Sequence, residues 1–142
     1  METINQLLDE KGHEVFAVSP ESPVYDAIEM MADKGVGALL VMEGDNLAGV
    51  VSERDYARKV ILKGKSSRST QVRDIMTAEV VSVSPHDTVD QCLAVMTQNK
   101  IRHLPVLEDG GVVGVLSIGD LVKSVIDDQK HQIQSLEQYI SG

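Results

Sequence analysis

Two short polar sequences that follow apolar segments are the places where this chain could do chemistry. Gly49–Asp55 reads Gly-Val-Val-Ser-Glu-Arg-Asp, and 65 residues later Gly114–Asp120 reads Gly-Val-Leu-Ser-Ile-Gly-Asp. Each copy runs from an apolar strand into a Ser-x-x-Asp sequence that begins a helix. The N–H groups at a helix N-terminus can hold an anion. We therefore predict that the two turns are paired ligand sites.

The serine and the aspartate of each turn also have a purely structural interpretation. Ser-x-x-Asp forms a capping box when the serine caps the helix and the acid reaches back to the serine N–H. Ser52 and Ser117 can satisfy an unpaired backbone N–H or bind a phosphate oxygen, because a helix N-terminus favours either. The two roles do not exclude each other, and both stay open.

Two arginines follow the first turn. Arg54 and Arg58 lie four residues apart, so both can project from one helix face. Paired guanidinium groups suit a phosphate or pyrophosphate, which arginine binds in a bidentate manner. The alternative is an ion pair of Arg58 with Asp55 or Glu53. The second copy has Gly119 and Lys123 at the equivalent positions, so we expect the two sites to differ.

The arginines belong to a basic segment in an acidic protein. Arg54–Arg73 contains seven basic residues and one acidic residue, whereas the whole chain carries a net charge of −9. One concentrated basic segment favours a small polyanionic ligand. A solvated helix face is the alternative. Nucleic-acid binding through this segment is a further hypothesis, although the few aromatic residues make no stacking platform.

The composition indicates a cytoplasmic globular protein. Of the 142 residues, 42% are hydrophobic and 25% charged, and no apolar run reaches the ~18 residues of a membrane span. The N-terminus lacks the apolar core of a signal peptide. The single cysteine, Cys92, excludes an internal disulfide and fits a core position. His13, His86 and His131 have no metal-ligand spacing, so we expect neither a metal nor a catalytic site.

The elements that must position the two turns repeat along the chain. A short helix over residues 1–10 precedes a strand at Val15–Val18, closed by Ser-Pro. A helix begins after Pro23 and ends at Gly35. Strands over residues 38–42 and 47–51 form a hairpin, and a helix starts at Ser52, with Val60 and Ile61 able to face inward. The second half has the same order, with its first strand at residues 80–83.

This β-α-β-β-α pattern is a duplication. Positions such as Val18, Ser19, Gly49, Ser52 and Asp55 recur identically 65 residues later without a gap, which marks an internal repeat. The predicted organisation is an N-terminal helix (1–10), a first repeat (11–63), a basic polar linker (64–73), a second repeat (74–128) and an amphipathic tail (129–142). Each half is too small to be stable alone, so the halves should share a core. The predicted fold class is α+β.

The duplication resembles the tandem cystathionine-β-synthase (CBS) domain pair, in its small stand-alone bacterial form. Three stretches carry the resemblance, namely Ser52–Tyr56, Asp74–Thr77 and Ile101–Val106. It covers roughly residues 10 to 128. The resemblance implies two repeats packed as a pseudo-twofold pair, with clefts that bind adenine nucleotides such as AMP, ATP, NAD or S-adenosylmethionine. It also implies a homodimer of such pairs that regulates a partner protein without catalysis.

The resemblance assigns roles to particular residues. Asp55 and Asp120 match the family's ribose-binding aspartate. The run from Ile101 to Pro105 matches the adenine edge of one cleft, where Arg102 or His103 reaches phosphate. Because Pro105 cannot donate a ladder hydrogen bond, its strand should be an edge or interrupted. The remaining candidate ligand-binding residues belong to the first repeat and to the start of the second: Val36, Gly37, Ala38 and Thr77.

Other function classes were weighed against this hypothesis. CBS pairs also occur in IMP dehydrogenase, but its catalytic barrel needs about 250 residues, and this chain has none to spare beyond the pair. A structural dimerisation module with vestigial clefts is an alternative. We therefore predict a regulatory nucleotide-binding module that is not an enzyme, with the nucleotide, the occupancy of each cleft and the partner left open.

Overall fold

The structure, a computed structural model, describes residues 2–141. Met1 of the predicted first helix and Gly142 of the predicted tail lie outside the described residues. In chain order the elements are α1 (Ile4–Lys11), β1 (Ala17–Val18), α2 (Val24–Lys34), β2 (Ala38–Glu43), β3 (Asn46–Ser52), α3 (Glu53–Tyr56, continuing as a π-helical turn over Ala57–Ile61), a 3₁₀ turn (Val72–Asp74), α4 (Val89–Asn99), β4 (His103–Glu108), β5 (Gly111–Ser117) and α5 (Ile118–Ser141).

The chain divides into two compact units. The middle unit comprises Val15–Val81, and the terminal unit combines the residues up to Glu14 with those from Ser82 onward. Each unit contains a helix, a β-hairpin and a second helix in the predicted order. This confirms the α+β fold with two repeats and flanking helices. Among residues 2–141, none of the helices combines the length and hydropathy required to span a bilayer.

The helix before each hairpin follows its sequence pattern. In α2 the apolar stripe places Val24, Ala27 and Met31 in the core of the middle unit. The helix ends at Gly35, whose φ of 67° lies in the left-handed region that glycine adopts without strain. The equivalent helix of the terminal unit, α4, buries Val89, Cys92 and Met96. Their burial is what the predicted core positions require.

The two hairpins have the same register, and the register places the serines. Ala38 pairs with Ser52 in the first hairpin, and His103 pairs with Ser117 in the second. Both ladders contain a bulge at the same place, after Val41 and after Val106. The serine of each Ser-x-x-Asp sequence therefore ends a paired strand and caps the helix that follows.

The predicted strand at residues 80–83 is wrong, and Pro105 gives the reason. In the middle unit β1 pairs with β2 in parallel, and the N–H of Leu40 donates to the carbonyl of Phe16. Pro105 occupies the position equivalent to Leu40 and has no N–H to donate. The terminal unit keeps only one parallel bridge, Val83 with Val106. β4 runs through Pro105 without interruption and is an edge strand of a two-stranded sheet, so of the two expected alternatives the edge strand is confirmed.

Ile61 also departs from its expected position. Its side chain is 56% exposed, whereas Val60 is buried. The helix from Ser52 changes to π-helical hydrogen bonding at Ala57, and the N–H of Leu62 donates to the carbonyl of Ala57. A π turn is wider than an α turn, so the side chains that follow rotate away from the α-helical stripe.

Each hairpin is crossed closely by another segment of its own unit, and a glycine makes room for it. A Cβ on Gly49 would lie 2.7 Å from the carbonyl oxygen of Thr77 and 2.8 Å from the sulfur of Met76. A Cβ on Gly114 would lie 2.7 Å from Cδ2 of Leu8 in α1. The two glycines are equivalent in the repeats. Residues 76 and 77, near the end of the middle unit, therefore pack on the first hairpin, and α1 packs on the second.

We predict that alanine at Gly49 lowers the free energy of unfolding by about 1–3 kcal/mol, the range typical of overpacking. Gly114→Ala should cost less, because the end of the Leu8 side chain can move whereas a backbone carbonyl cannot. Gly119→Ala is the control, since the nearest atom to its Cβ lies at 3.6 Å. It should be neutral or slightly stabilising in a helix. Urea unfolding measures all three, and equal losses at Gly49 and Gly119 would contradict the crossing contact.

Candidate functional site

The turn between β3 and α3 is a reciprocal capping box. The Ser52 N–H and hydroxyl donate to Oδ2 of Asp55 at 2.9 and 3.1 Å. In return, the Asp55 N–H donates to the hydroxyl oxygen of Ser52 at 3.2 Å. The Glu53 N–H donates to the carbonyl of Gly37 at 3.0 Å. The structural interpretation of the Ser-x-x-Asp sequence is thus confirmed, and the box holds the Asp55 carboxylate in one orientation.

Lys59 is the cation at this turn. Its Nζ lies 3.0 Å from Oδ1 of Asp55 and donates to the carbonyl of Ile75 at 2.8 Å. The Asp55 side chain is 15% exposed and that of Lys59 is 44% exposed. The alternative pairing of Arg58 with Asp55 or Glu53 does not form among residues 2–141, and Lys59 pairs with Asp55 instead.

The second turn repeats this chemistry with a lysine from elsewhere in the chain. The Ser117 N–H donates to Oδ2 of Asp120 at 2.8 Å, and the Asp120 N–H donates to the Ser117 hydroxyl oxygen at 3.1 Å. Nζ of Lys11, at the end of α1, lies 2.9 Å from the same Oδ2 and donates to the carbonyl of Val115 at 2.7 Å. Each aspartate thus pairs with one lysine.

The environment of Asp120 sets its protonation. Burial by itself raises the pKa of this carboxyl, but the hydrogen bonds from Ser117 and the charge of Lys11 outweigh burial, so the pKa lies below its ordinary value of 3.8. The carboxylate is therefore charged at neutral pH. A charged and partly buried carboxylate is a strong acceptor for hydroxyl donors.

The other candidates in the middle unit lie beside the first turn. Gly37 contributes the carbonyl that receives the Glu53 N–H, and Ala38 pairs with Ser52 across the hairpin. Val36, two residues after the end of α2, is half-buried and packs against the core. Thr77 exchanges two backbone hydrogen bonds with Val50, at 2.9 and 3.0 Å. The fold of the middle unit therefore brings these residues together with Ser52 and Asp55.

The candidates of the second repeat have the same arrangement. The Ile118 N–H donates to the carbonyl of Arg102 at 2.8 Å, as Glu53 does to Gly37, and His103 pairs with Ser117. Arg102 is exposed, His103 and Ile101 are half-buried, and Pro105 is buried within β4. Arg102 and His103 therefore lie at the edge of the second turn, whereas Pro105 belongs to the core behind it.

Arg54 and Arg58 lie exposed on α3 and its π turn, and no acidic partner approaches either guanidinium within residues 2–141. Three other cations of the basic segment have partners in the middle unit. Lys59 binds Asp55, Arg73 binds Glu21 at 2.6 Å, and Arg68 lies 4.0 Å over the ring of Tyr25. The arginine pair is thus available to an anion, while much of the segment stabilises its own unit.

Lys59 and Lys11 are the site residues that the sequence analysis missed. The sequence could have predicted the Lys59 contact, because Asp and Lys four residues apart on a helix form an ion pair. The Lys11 contact had no such signal, since Lys11 lies more than 100 residues from Asp120 and belongs to a helix outside the repeat pattern.

The remaining titratable candidates have structural roles or no site. Burial, aided by the charge of Asp87, raises the pKa of the Cys92 thiol to about 11, so Cys92 is a packed thiol and not a nucleophile. Nδ1 of His13 lies 3.0 Å from the carbonyl oxygen of Val113. This hydrogen bond, and a second one to Asp9, raise the pKa of His13. Within the part of the chain that the structure describes, no cluster of His, Cys, Asp or Glu could hold a metal.

Two repeated hairpin units, each ending in a capped aspartate that a lysine holds in place, define a tandem-repeat module with one polar turn per repeat. The residues 12–62 and 72–127 match the sequence model of the CBS domain. The chain belongs to the CBS-domain family.

Relatives and solved structures agree with this assignment. The mitochondrial CBS domain-containing protein CBSX3 of Arabidopsis thaliana is 41% identical over 99% of this chain and 72% of its own length. A CBS-domain protein from Burkholderia ambifaria, described as a putative signal-transduction protein, is 53% identical with a TM-score of 0.88, covering 90% of this chain and 96% of that one. The CBS pair of protein MJ0100, solved with 5′-methylthioadenosine and S-adenosylmethionine, shares the fold at 18% identity, with a TM-score of 0.80 over 90% and 98% of the two chains.

We predict that Lys11→Met and Asp120→Asn are coupled by about 1 kcal/mol in a double-mutant cycle, because both side chains are partly exposed. The pKa of Asp120 is lowered by folding, so the stabilisation is present above pH 3.8 and is lost as the pH falls through the depressed value. Unfolding midpoints between pH 7 and pH 3 measure this.

Lys130→Met paired with Asp120→Asn is the control cycle. Lys130 lies ten residues further along α5, about 15 Å away at 1.5 Å per residue, and should show no coupling. A coupling between Lys11 and Asp120 that stays constant down to pH 3 would contradict the ion pair.

Proposed function

We propose that this chain is a regulatory module, without catalytic activity, that binds adenosine-containing nucleotides at its two Ser–Asp turns. AMP, ATP and NAD are the candidate ligands. The observation that carries the proposal is the orientation of a charged aspartate by its own serine, in both repeats. The binding of adenosine compounds by the CBS pair of MJ0100 supports the ligand class.

The oxygens of the two carboxylates decide how a ribose would bind. Oδ2 of Asp55 accepts from Ser52, and Oδ1 faces Lys59. At Asp120 both Ser117 and Lys11 use Oδ2. A carboxylate has about four acceptor positions. Each aspartate therefore keeps acceptor positions for ribose hydroxyls.

The phosphate end differs between the repeats. Arg54 and Arg58 are exposed next to the first turn, and the second repeat has Gly119 and Lys123 instead. Arg102 and His103, at the edge of the second turn, supply its basic groups. A nucleotide at the first turn would place its phosphate against the arginine pair, because a guanidinium binds phosphate in a bidentate manner.

The lysines connect ligand binding to conformation. Lys59 joins Asp55 to Ile75, in the segment that crosses the first hairpin, and Lys11 joins Asp120 to α1. A ligand that donates hydrogen bonds to either carboxylate changes how firmly the lysine holds these segments. If the ligand binds one arrangement of these segments more tightly than another, it shifts the protein toward that arrangement. A regulated partner protein then binds the two arrangements differently. We infer that the active form is a homodimer.

A structural dimerisation module with vestigial sites is the second candidate. The lysine pairs favour it, because they satisfy each aspartate without a ligand. The experiments below separate the two functions, since only a nucleotide sensor distinguishes a ribose from a deoxyribose.

We predict that Asp55→Asn and Asp120→Asn each weaken AMP binding at their own turn by roughly 10- to 100-fold, since a hydrogen bond to a charged group contributes about 1.5–3 kcal/mol. Wild type should bind 2′-deoxy-AMP more weakly than AMP, and the double variant should lose this discrimination. Isothermal titration calorimetry measures both effects. A thermal melt with AMP, ATP and NAD selects the ligand first, because saturation at ~100 times Kd adds about 2.7 kcal/mol.

Asp33→Asn, an exposed carboxylate on α2, is the matched control and should leave the affinity unchanged. The proposal fails if wild type binds none of these nucleotides, or if the double variant still discriminates AMP from its 2′-deoxy form.

We predict that Arg54→Gln with Arg58→Gln weakens AMP binding at the first turn and leaves adenosine binding unchanged, because the guanidinium groups contact only phosphate. The loss should be about tenfold or more, and the dependence of affinity on salt should become shallower. Lys63→Gln removes an exposed charge from the same segment and serves as the control. An equal loss of affinity for adenosine and AMP would contradict a contact between these arginines and the phosphate.

A further inference from the structure

The last half of α5 extends beyond the unit that it belongs to. The buried residues of this helix are Leu121 and Ser124, near its start, whereas every side chain from residue 129 to 141 is exposed. These thirteen residues include Ile133, Leu136 and Ile140, which are 55, 61 and 82% exposed. A helix of this length is marginal in water without tertiary packing. Its apolar residues therefore require a partner.

The spacing of the apolar residues specifies the kind of partner. One line of residues along α5, here called the seam, has steps of four, three, four, three and four: Val122, Ile126, Gln129, Ile133, Leu136 and Ile140. Alternating steps of three and four give the 3.5-residue period of a two-stranded coiled coil. Val122 and Ile126 are 43 and 44% exposed, so the seam continues without a break from the packed half of α5 into the free half.

We propose that the seam binds the seam of a second copy of this chain in an antiparallel coiled coil, with the twofold axis beside residue 131. Val122 then packs against Ile140 of the partner subunit, and Ile126 packs against Leu136 of the partner subunit. Gln129 lies beside Ile133 of the partner subunit near the axis. Every apolar residue of the seam is covered over a length of about 27 Å, at 1.5 Å per residue.

The residues that flank the seam favour the antiparallel direction. On one side lie Lys123, Lys130 and Glu137, seven residues apart, and flanking charges set the orientation of a coiled coil. An antiparallel pair forms two ion pairs, since Lys123 of each chain lies opposite Glu137 of the partner subunit. It has one unfavourable contact, between the two exposed Lys130 side chains. A parallel pair would place Lys130 beside a valine and Glu137 beside a glutamine, without any ion pair.

The other flank is apolar and gives the same direction. Val125 is half-buried at the base of the helix, and Tyr139 near its end is 86% exposed. In the antiparallel pair each Tyr139 lies next to Val125 of the partner subunit, which covers the ring. In a parallel pair Tyr139 would lie at the open end of the helices and stay exposed. This proposal does not rest on nucleotide binding, and its test uses the protein without nucleotide.

Sedimentation equilibrium of the full chain tests the dimer. Wild type should be a dimer at tens of micromolar, and Ile133→Glu with Leu136→Glu should be a monomer. Gln134→Glu with Gln138→Glu adds the same charge on the opposite face of the same turns and should remain a dimer. Circular dichroism should show that the seam variant keeps the melting transition of the folded units. A monomeric wild type, or a seam variant that stays dimeric, overturns the proposal.

Cysteine cross-linking tests the direction. Val122→Cys and Ile140→Cys are purified separately, and the buried Cys92 stays in both as an unreactive thiol. In the antiparallel dimer neither variant forms a disulfide-linked dimer alone, and a mixture of the two does after exchange. Cross-linking of each variant alone would show a parallel pair. Failure of the mixture to cross-link would likewise overturn the antiparallel arrangement.

Discussion

The reciprocal capping box at the end of each hairpin is the interaction on which the candidate site depends. A serine that ends a paired strand has its N–H free to donate forward, and the aspartate three residues on accepts that bond. The same contact ends the strand, starts the helix and fixes a carboxylate in one orientation. A helix start needs such partners because its first N–H groups have none within the helix. The structural and the ligand-binding interpretations therefore describe one arrangement, since a carboxylate must be held before it can select a ligand.

The lysine beside each aspartate makes a charged carboxylate tolerable in a partly buried position. Burial alone opposes the charge of Asp120, and the hydrogen bonds and Lys11 reverse that effect. The two lysines come from different parts of the chain, Lys59 from the helix after the turn and Lys11 from the helix before the first repeat. Both also bind a backbone carbonyl, of Ile75 and of Val115. Each site is thereby joined to its hairpin or to the segment that crosses it.

Two related units have diverged through a small number of physical changes. Pro105 replaces a residue that donates to a parallel neighbour, so the terminal unit has a two-stranded sheet where the middle unit has three strands. Gly119 and Lys123 replace the arginine pair, so the phosphate chemistry of the two turns differs. The glycines that permit a close crossing are the same, but Thr77 and Met76 cross one hairpin and Leu8 the other. The hairpin register and the capping box are kept in both.

The sequence alone determined whatever depends on neighbours within a few residues. Helix stripes, the left-handed glycine after α2, the hairpin turns, the capping boxes and the duplication at 65 residues all follow from local spacing, and so does the edge position of the strand that contains Pro105. Only the tertiary structure decided which lysine pairs with Asp120, which segment crosses each hairpin, that residues 80–83 form one bridge, and that Ile61 faces solvent after a π turn. These features depend on contacts between residues far apart in the chain, or on a change in helix geometry, and neither leaves a periodic signal. The seam of α5 depends on both. The sequence determines the spacing of its apolar residues, but only the fold shows that these residues stay exposed within residues 2–141.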